Sequence, residues 1–262
     1  MNPIHGFKNS YIRHLQNASS PLDPDIPGDL SVAAITYDKA LSAMETLFNG
    51  SGSIRIADVE EVIDEVLQLI MDDRLTIRSL CNILHHDYYT HTHSVNVSIY
   101  AILLGKFLHL DVKTLHRLGQ AGILHDIGKT SVDRRIINKP GRLTFHEFLL
   151  MQRHPEASFH AALSFGVRDH VVLSGIRYHH EKMDGSGYPA RLQGDTIPFA
   201  ARLIAVCDIF DALTTRRAYK PALSTLDAFE VMKSQMGRHL DMTVLDRFIT
   251  LMGRPEEERY HE

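Results

Sequence analysis

Seven titratable side chains fall on the apolar sides of the helices this sequence predicts, and that placement excludes most folds open to such a chain. From Tyr88 onward apolar residues recur three and four apart, the spacing of a helix with one stripe facing a core. His93 stands four before Val97 and eight before Ala101. His125 follows Leu118 and Gly122 by seven and three, and His154 follows Leu150 and Met151 by four and three. His179 follows Val172 and Ile176 by seven and three, His180 comes four after Ile176, and Asp208 comes four and three after Ile204 and Ala205. Asp126, adjacent to His125, completes the set. A single such histidine is ordinarily a hydrogen-bonded core residue, and a lone Asp208 could cap a helix or pair with an arginine. Five imidazoles and two carboxylates together cannot be buried that way, because unpaired charge in an apolar interior is costly. Divalent metal ions remove the cost, since neutral imidazoles and carboxylates are their ligands. A bundle of helices can hold such ligands facing inward.

The periodicity makes the chain all-α, a multi-helix bundle with a metal centre between helices. Helices are expected over 32–48 and 56–70, with a third starting near Leu75 and leading towards Cys81 and Leu84. Beyond Tyr88 they are expected over 92–108, 115–125, 144–154, 156–165, 169–180, 198–214, 225–236 and 241–251. The 144–154 helix opens on a capping box, Thr144 with Glu147 three later, and is expected to end at His154 before Pro155. Three regions follow. Residues 1–30, with Pro21, Pro24 and Pro27, read as a flexible arm; 31–86 as a helical lead-in or regulatory region; 87–262 as the catalytic domain.

Composition narrows the partners. Of 262 residues 44% are hydrophobic, enough for a sizeable core, and 28 basic against 32 acidic residues leave a net charge of −4. That balance disfavours bulk nucleic acid or an anionic membrane, while leaving room for a local basic pocket. Two cysteines, Cys81 and Cys207, are too few for a disulfide framework or a cysteine zinc site. The longest uncharged stretch, 88–105, has an apolar run of only Ile99 to Leu104, so no membrane span is expected. The N-terminus lacks a signal-peptide pattern, and a reducing, cytoplasmic setting is expected. The 17 histidines are far more than a core needs.

His125-Asp126 and His179-His180 are adjacent pairs, and neighbours on a helix diverge by about 100°. Both members reach one site only if it is wide or lies near a helix end. A two-metal centre meets this condition, with Asp126 bridging and the paired histidines serving a second ion. Two divalent ions roughly 3.5–4 Å apart suit phosphate-ester hydrolysis. Lys129, four after His125 and three after Asp126, would stand beside them to stabilise phosphate charge. Elsewhere it would read as a lysine meeting a helix dipole.

These residues resemble a known family. HDIGK, His125 to Lys129, looks like the signature of the HD-domain phosphohydrolases. HHEKMDGSGYP, His179 to Pro189, is similar to the HD-GYP family of bacterial cyclic di-GMP phosphodiesterases. HSVNV at His93, KPGRLT at Lys139, HPE at His154 and IAVCDIFDALTTRRAYK at Ile204 follow in the same order, so the resemblance covers about Tyr88 to Met252. It implies hydrolysis of cyclic di-GMP to pGpG and often onward to GMP, with iron or manganese as the metal. It implies His93, His125, Asp126, His154, His179, His180 and Asp208 as ligands, Asp126 bridging, and Lys129, Arg217 and Lys220 as phosphate contacts. From the residues alone Arg216 to Lys220 would read as a solvated basic turn, yet it is the best candidate for the positive pocket a −4 chain needs, and Asp184 to Pro189 is equally a structural turn holding the His179-His180 helix end. The resemblance implies that the Gly187-Tyr188-Pro189 loop also contacts partner proteins, among them GGDEF domains; a homodimer stays open.

The chain departs from the family in places. Members with three metals carry a glutamate where Tyr89 stands, four before His93, so two divalent ions are expected; His91 is off the face of His93. Ser158 replaces a common glycine, and Leu240 and Met242 a usual Phe and Pro; these read as packing changes. Two other readings compete: a cyclic dinucleotide-binding signalling module that recruits GGDEF partners, and a hydrolase of another cyclic dinucleotide.

Overall fold

The computed structural model describes residues 28–49, 56–73, 90–216 and 221–253, and among them there are helices and turns but no strand. The fold is all-α. In chain order the helices are α1 (Gly28–Asn49), α2 (Ile56–Met71), α3 (Thr90–Phe107), α4 (Val112–Leu124), α5 (Arg134–Ile137), α6 (Phe145–Met151), α7 (His154–Ser164), α8 (His170–Tyr178), α9 (Phe199–Thr214), α10 (Thr225–Met236) and α11 (Met242–Gly253). Short 3-10 turns cover Ile127–Ser131 and Gly194–Thr196. Most of the arm expected over 1–30, and the helix expected near Leu75, lie outside the described residues. Residues 28–30 already belong to α1, which starts earlier than the apolar spacing indicates.

α3 is the axis. Every residue from Thr92 to Gly105 is buried, because α1, α4, α9 and α11 pack around it. A helix covered on all sides has no solvent face to keep polar, so its few polar residues must find partners inside. Ser98 Oγ donates to the Gly119 carbonyl at 2.8 Å. Tyr100 meets Phe210 and Phe248 edge-on at 5.4 and 5.9 Å, and Phe210 stacks on Phe229 at 5.0 Å, so aromatic contacts tie α3 to α9, α10 and α11. Ala33, Tyr37, Ala40 and Met44 of α1, and Val59, Ile63, Val66 and Ile70 of α2, belong to the same apolar cluster as α3 and α4.

The 144–154 expectation is corrected. The capping box is present at Thr144, but α6 ends at Met151 and His154 opens α7. Pro155 explains the break. It removes an amide hydrogen and is tolerated only in a helix's first turn, where that hydrogen has no partner. α6 also buries none of its residues; Phe145, Phe148, Leu149 and Leu150 are exposed. Its stability is therefore local. Lys139 and the Thr144 amide hold the Glu147 carboxyl down, from 4.5 to about 2. A depressed carboxyl adds stability that is full above pH 4.5 and lost as pH falls through about 2. The stability difference between the wild type and Glu147→Gln, read by chemical denaturation, should therefore shrink steadily as pH drops across that window.

Candidate metal centre

The seven residues come from five places in the chain and meet at one point. His93 lies in α3, His125 caps the C-terminus of α4 with Asp126 next to it, and His154 opens α7. His179 caps the C-terminus of α8 with His180 beside it, and Asp208 lies in α9. Both adjacent pairs sit where a helix stops, which is how neighbours can converge despite the helical divergence. A bidentate pair between Arg177 and Glu156, 2.8 and 2.9 Å, locks α8 to α7 beneath His179 and His154.

Four rings are held in one orientation. His125 Nδ1 donates to the Gly122 carbonyl, His154 Nδ1 to the Met151 carbonyl and His179 Nδ1 to the Ile176 carbonyl, each at 2.7 Å. His93 Nδ1 donates to Asp211 Oδ2, also at 2.7 Å. Carbonyl oxygens only accept, so the proton sits on Nδ1 and each Nε2 presents a lone pair to the centre. His154 Nε2 and His179 Nε2 face each other at 3.4 Å. Two lone pairs at that distance are reconciled by a cation between or beside them. His125 Nε2 and Asp126 Oδ1 are buried and make no hydrogen bond among the described residues. The donor set therefore fits a divalent metal centre.

The candidate ligand atoms divide into overlapping groups, within each of which all lie no more than 4.8 Å apart: His93, His125 and Asp208; His154, His179 and His180; and His125, Asp126 and His179. Asp126 stands between the first two. Its Oδ1 is 3.2 Å from His154 Nε2, and its Oδ2 is 3.4 and 3.7 Å from the Nε2 atoms of His125 and His93. Burial alone would raise the Asp126 carboxyl, but the Lys129 ammonium, with which it pairs, and the nearby imidazoles hold it well below the usual carboxylate range. Asp208, 3.0 Å from His93 Nε2, is held low against its burial by the His93 ring and the neighbouring imidazoles. Burial pushes His179 well down and His180 to about 3, aided by the neighbouring imidazoles. At neutral pH His179 and His180 are thus neutral and Asp126 and Asp208 ionised, the protonation state metal ions require of such ligands.

The loop at Gly187-Tyr188-Pro189 is tied to the same segment. The Tyr188 amide donates to the His180 carbonyl at 3.2 Å, and its ring lies 4.8 Å from the His180 ring. Burial raises the Tyr188 phenol, so it stays protonated. Glu181, buried, accepts from the amides of Ala190 and Leu192 at 2.6 and 3.0 Å and pins the loop's far side. A Cβ on Gly187 would collide with the backbone of His180, Glu181 and Lys182. Gly187→Ala should destabilise the fold by about 1–3 kcal/mol and lower metal content, read by denaturation midpoint and elemental analysis.

Two expectations need correction in their reasons. Leu150, used to place His154 on an apolar face, is exposed; His154 is buried because α7 packs against the Ile127–Ser131 turn. Ser158 is more than a packing change: its Oγ accepts from the Gly128 amide at 2.8 Å and holds the turn after Asp126, where a Cβ on Gly128 would strike His154 and Ser158. Arg217, Lys220 and Tyr89 lie outside the described residues. His91 joins none of the ligand groups. Sequence reasoning missed Asp211 and Asn96, both buried. Asp211 lies three after Asp208 on α9, the spacing that would have found it.

The HD domain family matches residues 78–244. A cyclic di-GMP phosphodiesterase of Pseudomonas aeruginosa is 33% identical over 237 residues, 89% of this chain and 57% of that protein. A 3'3'-cGAMP-specific phosphodiesterase of Vibrio cholerae is 38% identical over 161 residues, 60% of this chain and 37% of that protein. The chain thus spans little more than half the length of the first relative and less of the second. Among solved structures, an HDG"Y"P protein from Bdellovibrio bacteriovorus shares the fold with a TM-score of 0.72 at 18% identity, covering 94% of this chain and 80% of that one. No helix among the described residues is long and apolar enough to cross a membrane. With more than half its length matched, and the HDIGK segment at the centre of its buried cluster, the chain belongs to the HD domain family.

Proposed function

We propose that the chain is a metal-dependent phosphodiesterase that hydrolyses cyclic di-GMP to pGpG, and onward to GMP where the linear product can bind again. The observation that carries this reading is the pair of ligand groups meeting at Asp126. In it, His93, His125 and Asp208 would hold one divalent ion, His154, His179 and His180 the other, and Asp126 would bridge. Iron and manganese suit this mixed imidazole and carboxylate set. Divalent ions bound there would supply a nucleophilic water at neutral pH and neutralise phosphoryl charge.

The chain's own residues do the rest. The Nδ1 hydrogen bonds fix each ring before substrate arrives, so little reorganisation is left to the reaction. Lys129, mostly buried and paired with Asp126, would place a positive charge beside the phosphate. Arg217 and Lys220 would add two more, the local pocket that a chain of net charge −4 needs for an anionic nucleotide. The reading places the chain in a reducing cytoplasm, with GGDEF domains as candidate partners at the Tyr188 loop.

Relatives named as 3'3'-cGAMP-specific phosphodiesterases, at 34–38% identity, support a second reading, a hydrolase of hybrid cyclic dinucleotides. Initial rates on cyclic di-GMP and 3'3'-cGAMP under identical metal loading separate the two. The proposal expects the faster rate on cyclic di-GMP and its loss in His125→Ala; turnover that survives His125→Ala would sink both.

A further inference from the structure

A continuous hydrogen-bonded path runs from α1, in the lead-in, to the metal-facing ring of His93. The Tyr37 hydroxyl donates to Asn96 Oδ1 at 2.7 Å, Asn96 Nδ2 donates to Asp211 Oδ1 at 2.8 Å, and Asp211 Oδ2 accepts from His93 Nδ1 at 2.7 Å. All four side chains are at most 3% exposed. Tyr37 lies outside the segment matched by the HD domain family, which begins at residue 78. The helix that carries it packs against both α3 and the turn that follows Asp126.

The chemistry of this path is directional. Asp211 differs from the other ring anchors in being a side chain. The carbonyls that hold His125 and His179 belong to each histidine's own helix end, and the one that holds His154 to the end of the preceding α6; all lie three residues back in the same stretch of chain. The Asp211 carboxylate arrives from α9 and is itself held by Asn96, whose amide can turn only if its oxygen releases Tyr37. A carboxylate behind a ligating imidazole fixes its tautomer and raises its basicity, and such partners are typically worth 10–100-fold in metal affinity. We propose that Tyr37, Asn96 and Asp211 are positioning residues that make the affinity of the His93 ion depend on the seating of α1. Movement of the lead-in helix is thereby transmitted to one metal and not the other. This rests on the proposed two-metal centre.

The test uses the full chain, stripped of metal by a chelator and titrated with Mn²⁺ in a calorimeter. The wild type should bind two ions in resolvable steps. Tyr37→Phe keeps the buried ring and removes one hydroxyl; it should weaken one step by about tenfold and leave the other unchanged. Asp211→Asn should weaken the same step by about 10–100-fold. Thermal unfolding of the metal-free variants, followed by circular dichroism, reports whether each is folded, and Asp211→Glu, which keeps the charge, should recover part of the loss. Equal weakening of both steps would mean a general packing effect and overturn the inference. So would an unchanged titration in folded Tyr37→Phe. A wild type that binds no Mn²⁺ would instead remove the two-metal reading beneath it, an outcome visible before any variant is made.

Discussion

Asp126→Ala should reduce cyclic di-GMP hydrolysis by more than about 10³-fold, equivalent to some 4 kcal/mol of lost transition-state stabilisation. The size follows from position. Among the described residues Asp126 is the carboxylate that stands between the two ligand groups, with one oxygen toward His154 and the other toward His125 and His93. Its loss would remove the oxygens that face each group and the partner of Lys129 together. Metal content measured on the same sample should fall from two ions per chain to one or none. Asp126→Asn, nearly the same shape but uncharged, should behave almost as badly. Retention of both ions in Asp126→Asn would mean that the carboxylate charge is not what joins the two groups.

Lys129→Met should lower kcat by about 10²–10³-fold, the range found when one preorganised donor to a developing charge is removed. Metal stoichiometry should stay at two, because Lys129 contributes no candidate ligand atom. The pairing of Lys129 with Asp126 makes the distinction worth measuring. Were the lysine needed only to keep Asp126 ionised, metal and activity would fall together. Were it a phosphate contact, activity would fall alone. A kcat loss with both ions in place is the expected result, and elemental analysis beside steady-state kinetics reads it.

Much of the bundle was legible because helical spacing and capping are local. The 225–236 helix begins and ends as expected, and its Ser224 cap accepts from the Asp227 amide at 3.1 Å. The candidate ligands were legible for a different reason. Histidines and aspartates cost too much to bury without a purpose, so their accumulation at inward spacings carries information that one residue does not. Asn96, Glu181 and Ser158 were not legible, and the cause is physical. On α3 every residue from Thr92 to Gly105 is buried, so the helix has no outer face against which Asn96 could stand out. Glu181 and Ser158 act on backbone amides, at Ala190, Leu192 and Gly128, and such partners leave no trace in residue type. His154 was found on a face argument that the structure does not support, since Leu150 is exposed. It is inward because Pro155 starts a new helix there.

Metal content and product analysis on one anaerobically purified sample decide whether the buried cluster is a catalytic two-metal centre. The expected result is two divalent ions per chain and release of pGpG from cyclic di-GMP, with turnover and at least one ion lost in Asp126→Ala. Metal-loaded protein that binds cyclic di-GMP tightly and leaves it intact would contradict it, and would make the chain a binding module with a structural metal site.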